Sequence, residues 1–142
     1  MILTISHLLL AVCLGLWIGY ERERQQKPAG IRDITLITLG ACVFTIIAFK
    51  VHQIDITRND LGRIISYTIA SIGFLGSGAI IHNKGDVEGI TTASSLWSMV
   101  GTGILCAMGE ISLAIITTAL IYGILKLKHL QIKIEQWKIK KS

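Results

Sequence analysis

Long uncharged stretches alternate with short charged ones along this chain. Residues 1–20, 34–49, 64–81, 89–109 and 111–125 contain no Asp, Glu, Lys or Arg. A helix needs about 20 residues to cross the hydrocarbon core of a bilayer, with a range of about 17 to 25. The first, third and fourth stretches reach that length unaided. The second and fifth reach it if Lys50 and Lys126 snorkel toward the interface. Glu110 alone separates the last two stretches, which predicts a tight surface hairpin over residues 108–112.

The pattern therefore predicts an all-α, polytopic membrane protein with about five transmembrane helices. Residues 1–126 form the membrane domain and residues 127–142 a basic tail. Residues 1–20 are expected to be a retained first span, because no Lys or Arg precedes the apolar part and no small-residue cleavage site follows. In the tail, Leu127, Leu130, Ile134 and Trp137 recur at helical spacing between lysines. This suits an amphipathic helix on an anionic leaflet. A plain helical extension with solvated lysines and a partial strand alternation remain alternatives.

Charge sets the expected orientation. With five spans, Arg22, Arg24, Lys27, Arg32 and Lys84 share one side with the tail residues Lys126, Lys128, Lys133, Lys138, Lys140 and Lys141. Eleven basic residues then oppose three, Lys50, Arg58 and Arg63. The positive-inside rule places the N-terminus outside and the tail in the cytoplasm.

Composition supports a membrane class. Of 142 residues, 51% are hydrophobic and only 16% are charged, with mean hydropathy +0.61. A soluble domain of this size needs more polar surface. Cys13, Cys42 and Cys106 lie in apolar runs without close-spaced partners and read as small embedded hydrophobes. His7 and His82 read as packed or interfacial side chains, and His52 and His129 stand alone.

Small residues are the next signal. "GFLGSGAII", residues 73–81, holds three glycines, each costing about 1 kcal/mol against alanine in a helix interior. In lipid, small residues let helices approach closely. Ser66, Ala70, Gly73 and Ser77 fall on one stripe of the third span, and Ala11, Gly15 and Gly19 on one stripe of the first. Thr91, Ser95, Ser98 and Thr102 form a hydroxyl stripe on the fourth, with Thr92 beside it. Close packing is one use for the third-span glycines. The other is a break at Gly76 and Gly78 that frees carbonyls to line a polar cavity.

A charge cluster, Glu21, Arg22, Glu23, Arg24, Arg32 and Asp33, closes the first span and opens the second. It sets topology on the simplest reading. A sharper reading pairs Glu21 with Arg32, with Arg22 or Arg24 sharing the carboxylate. Glu21, Glu23 and Asp33 are candidates for holding magnesium or calcium through oxygen ligands. Asp33 also suits a helix N-terminus.

Four ordered motifs carry a family resemblance: "GLWIGYERER" at 15–24, "KPAGIRD" at 27–33, "GFLGSGAII" at 73–81 and "GITTASSLW" at 89–97. Together they resemble the MgtC/SapB family of bacterial inner-membrane proteins over roughly residues 10–125. Asp33, Ser77 and Ser94 depart from the family's usual Thr, Ala and Ala. The chain is expected to be a short form without the soluble C-terminal domain of larger members. The resemblance implies a multi-pass inner-membrane protein linked to magnesium homeostasis, magnesium-limited growth and, in pathogens, virulence.

No phosphate-loop motif, nucleophile–base pair or metal-ligand cluster can be assembled, so no enzymatic activity and no cofactor are expected, with Mg²⁺ association left open. The expected partners are the lipid bilayer and other membrane proteins, or self-association, through small-residue helix faces; no nucleic acid is expected. A regulator of membrane transport or energetics acting by helix–helix contact is one function. The alternative is an oligomeric magnesium channel or transporter lined by Gly73, Gly76, Gly78 and the fourth-span hydroxyls.

Overall fold

A computed structural model describes residues 2–54, 60–83 and 86–141. Arg58 and Lys84, both counted in the charge balance, lie outside the described residues, as do the side chains of His82 and of Lys128 onward. The order is α1 (Ile2–Arg24), α2 (Ile31–Ile54), α3 (Asp60–Gly78), a hairpin of β1 (Ile81–Asn83) and β2 (Asp86–Glu88), α4 (Ile90–Ala107) and α5 (Ile111–Lys141). The fold is all-α apart from that hairpin, whose strands run antiparallel with Ile81 opposite Glu88 and Asn83 opposite Asp86.

Three helices are long and apolar enough to cross a membrane: Leu3–Arg24, Ile31–Gln53 and Ile90–Ala107. The apolar part of α5, Ile111–Leu127, is slightly shorter. Helix α3 is not among them: Arg63 and its glycines and hydroxyls dilute its hydropathy. It also ends at Gly78, so the third uncharged stretch is helical for only part of its length and turns into the hairpin at Ile81. In the other direction, α5 runs as one helix through the predicted tail to Lys141, and the strand alternative for that segment is set aside.

Helix α4 is the hub. It packs against α1, α2, α3 and α5. Half of its span is buried, against 28% for α1 and 33% for α2. Its inward face is small and hydroxyl-rich, with Thr92, Ser95, Thr102, Gly103 and Cys106 around Leu96, Met99 and Val100. Close approach requires this. A Cβ on Gly103 would stand 2.3 Å from the Thr38 carbonyl oxygen of α2. Three buried threonines donate to their own helix, Thr38 to Ile34 O, Thr45 to Ala41 O and Thr118 to Ala114 O, each at 2.8 Å, whereas the Thr102 hydroxyl is buried without a partner. The outer surface carries Leu3, Leu36, Phe74, Leu120 and Ile124, all more than half exposed. Such an apolar exterior suits lipid, not water.

Helix ends place the loops. At the end of α1, Gln26 N–H bonds Glu23 O at 2.9 Å and Lys27 N–H bonds Arg22 O at 3.1 Å, with Gln26 at φ 54°. The end of α4 repeats the motif: Gly109 N–H bonds Cys106 O at 3.1 Å, Glu110 N–H bonds Leu105 O at 3.0 Å, and Gly109 has φ 78°. Both are Schellman caps that satisfy terminal carbonyls and reverse the chain. The second is the tight turn expected near Glu110.

Candidate functional site

Three of the four motifs converge at one end of the bundle. Arg22, near the end of α1, reaches Thr92 in the first turn of α4. Glu23 reaches the start of α2, where its Oε2 accepts the Ile31 N–H at 2.9 Å. Asp33 accepts the Gly30 N–H at 3.1 Å from inside that helix. The two carboxylates thus occupy the free N–H groups of the α2 terminus, where negative charge is favoured.

Helix α1 lies very close to α2. A Cβ on Gly19 would stand 2.7 Å from Ile31 Cα, and one on Gly15 would stand 2.8 Å from Thr35 Cα. That contact fixes the rotation of α1. Ala11, Leu14, Ile18 and Arg22 therefore share the buried stripe, and Arg22 is only 1% exposed. Its guanidinium donates to Thr92 Oγ1, while its Nε is buried without a partner.

Glu21 is also buried but faces α5. It accepts from Gln25 Nε2 at 2.8 Å, with Lys126 Nζ at 3.6 Å and Arg24 Nη2 at 3.9 Å. One turn earlier, Trp17 meets the Tyr122 ring at 5.6 Å, and Lys126 lies 4.9 Å above that ring. Residues 17 and 21 on α1 thereby engage 122 and 126 on α5, each pair one helical turn apart.

Glu21 and Arg32 are not paired. Arg32 is exposed, and the carboxylate is held by Gln25, Lys126 and Arg24. The reason is rotational: Glu21 points toward α5, whereas Arg32 sits on the solvent side of the first turn of α2. Glu21, Glu23 and Asp33 are divided between α5 and the α2 terminus. Among the described residues no three His, Cys, Asp or Glu side chains stand together as a metal site.

The third-span glycines divide as well. Gly76 packs on Ala93 of α4, where a Cβ would lie 3.5 Å from the Ala93 Cβ. Gly73 and Gly78 have open space where a Cβ would go. Helix α3 runs unbroken through Gly76 to Gly78. Beside Gly73 a surface groove of about 520 Å³ opens between α3 and α4, lined by Ile72, Gly76, Ser77, Ser94, Trp97 and Ser98 among others. Of the α4 hydroxyls, Ser95 and Thr92 face inward, Ser98 is half-buried and Thr91 is exposed. Ser77, Ser94 and Ser98 donate to carbonyls of their own helices.

Sequence reasoning grouped Arg22 with its charged neighbours and missed its burial. The available signal was the spacing 11, 14, 18 and 22, which puts Arg22 on the apolar stripe of α1. Thr92 reads in the sequence as one of the α4 hydroxyls, and nothing in the spacing ties it to α1. The hairpin was also missed, although "NKGD" between Ile81 and Val87 is turn chemistry flanked by apolar residues.

The MgtC family profile matches residues 8–133. An uncharacterized protein of Haemophilus influenzae is 36% identical over 143 residues, covering 96% of this chain and 59% of the relative. Protein MgtC of Salmonella typhimurium is 37% identical over 117 residues, covering 82% and 48%. Protein MgtC of Brucella abortus is 34% identical over 114 residues, covering 80% and 46%. The chain thus spans about half the length of the curated relatives it matches. No solved structure matches. With its helices, its motifs and the family profile in agreement over nearly the whole chain, this is a membrane protein that belongs to the MgtC family.

Proposed function

We propose that this chain is a multi-pass protein of the bacterial inner membrane, with its motif-bearing end in the cytoplasm. It serves magnesium homeostasis and growth under magnesium limitation as a regulator of membrane transport or energetics. It acts by packing one helix face against another membrane protein.

The observation that carries this reading is the groove between α3 and α4. Lipid gives no hydrophobic drive for helices to associate, so small residues that admit close contact mark where they do. Within the chain, Gly15, Gly19 and Gly103 already serve that purpose. Gly73 and Ser77 are exposed instead, beside the exposed Trp97. A small, grooved face with a large aromatic at its rim suits an incoming helix.

The groove's serines are satisfied by their own backbones. Among the described residues, its walls carry no ionisable side chain of the kind that marks ion pathways. Both features favour docking over conduction. Reconstitution of the purified chain into liposomes tests the choice. Magnesium flux should not exceed that of protein-free vesicles. Flux that scales with protein and is altered by Ser98→Leu would replace this reading with the conducting one.

A further inference from the structure

We propose that Arg22 and the first turn of α4 form a binding site for a phosphate oxyanion. Arg22 is 1% exposed, its Nε has no partner, and no described carboxylate lies within ion-pair distance of it. Its neighbour Glu21 is turned toward α5 and shared by Lys126 and Arg24. A buried guanidinium with a single hydroxyl acceptor is a costly arrangement, because charge removed from water needs an opposite charge nearby.

The direction in which Arg22 points makes the demand greater. Its acceptor, Thr92, is the third residue of α4, so the cation is aimed at the positive end of an 18-residue helix. That end has no side-chain cap: Gly89 occupies the N-cap, and the first backbone bond of the helix runs from Ala93 N–H to Gly89 O. The N–H groups of Ile90, Thr91 and Thr92 precede it and have no partner among the described residues. At the start of α2, by contrast, Glu23 and Asp33 supply the carboxylates. One helix terminus in the cluster is thus capped by anions from the chain, and the other faces a buried cation.

An anion between Arg22 and the α4 terminus satisfies both. A tetrahedral phosphate oxyanion fits the donors best: a planar fork from Arg22, backbone N–H groups, and the Thr92 hydroxyl, whose own hydrogen is free to donate. Ile90 and Thr91 are exposed while Arg22 and Thr92 are buried, so the anion would enter past the first two residues of α4. The exposed Arg24 and Arg32 at the same end would raise the local concentration of anions. The phosphate could come from an anionic phospholipid headgroup or from free inorganic phosphate.

The test uses the full chain in maltoside micelles, which carry no phosphate. Backbone amide shifts of Ile90, Thr91 and Thr92 are followed while sodium phosphate is added, then in a separate arm phosphatidylglycerol, with sodium chloride at matched ionic strength as control. Saturable shifts confined to these amides and to the Arg22 side chain are expected. Saturation by both ligands assigns the site to the phosphate group. Saturation by phosphatidylglycerol alone assigns it to a lipid headgroup. Arg22→Lys, which keeps the charge but loses the fork, should weaken binding by about tenfold or more. Shifts that merely follow ionic strength, or no saturable shift in either ligand arm, overturn the proposal. If Arg22→Lys does not fold, the wild-type titrations decide the matter alone.

Discussion

The Arg22 guanidinium on α1 donates to the Thr92 hydroxyl on α4 across a sequence separation of 70 residues. This contact ties the "GYERER" motif to the "GITTAS" motif and sets which ends of α1 and α4 lie together. Thr92→Val keeps the shape but removes the acceptor. It should cost about 1–3 kcal/mol, the usual penalty for leaving a buried donor unsatisfied. Denaturant titration of the folded fraction in detergent measures this. Thr91→Val, at an exposed position one residue away, should change little.

Glu21 and Lys126 join α1 to α5, but the two partners are not equivalent. Glu21 is buried, whereas Lys126 is partly exposed and keeps its contact with the Tyr122 ring. Glu21→Gln should therefore lower the melting midpoint more than Lys126→Gln does. The Lys126 change leaves Gln25 and Arg24 around the carboxylate, whereas the Glu21 change removes the charge that all three share. Equal effects would mean that the α1–α5 contact rests on Trp17 and Tyr122 alone.

Glycine substitutions should separate into two classes. Gly19→Ala and Gly103→Ala place a methyl within 2.7 and 2.3 Å of α2 backbone atoms, so the helices must move apart. Overpacking of this kind costs about 1–3 kcal/mol or more. Gly101 and Gly123 have nothing within 4 Å of a Cβ, and alanine there should stabilise by about 0.5–1 kcal/mol through helix propensity. Thermal unfolding of the four single variants in one detergent makes the comparison.

The helices were largely legible because lack of charge over a membrane-length run is a strong one-dimensional signal. Their relative rotation was not, and the site depends on rotation. From the sequence, Glu21, Arg22, Glu23 and Arg24 are four charges in one turn. In the fold, Gly15 and Gly19 press α1 onto α2. Arg22 then turns into the core, Glu21 toward α5 and Glu23 onto the α2 terminus. Arg32 was expected beside Glu21 because both flank one short loop, yet adjacency in a loop does not fix which way a side chain points. Gly73, Gly76 and Gly78 look alike in sequence, but among the described residues only Gly76 meets a neighbour, because its side of α3 faces Ala93.

Gln26 holds a left-handed conformation at φ 54°, which costs a residue with a Cβ about 1–2 kcal/mol. Gln26→Gly should relieve most of that strain and tighten the cap after α1, raising stability by about 0.5–1 kcal/mol once glycine's added entropy in the unfolded chain is counted. Chemical denaturation checks it. A loss of stability would mean that the Gln26 side chain contributes to the loop.

On the function proposed above, the exposed α3 face, and not the interior of the bundle, meets the partner helix. Gly73→Leu tests it most directly. Among the described residues, nothing beyond the adjoining backbone of α3 itself lies within 4 Å of a Cβ at this position, so leucine there can be accommodated without disturbing the monomer. It would project from the surface beside the groove and obstruct an approaching helix. The measurement is growth in low magnesium of a strain that depends on this protein, with membrane levels and melting midpoint of the variant monitored in parallel. The expected result is normal membrane levels, an unchanged or higher midpoint and loss of growth support. Full growth support by folded Gly73→Leu would contradict it.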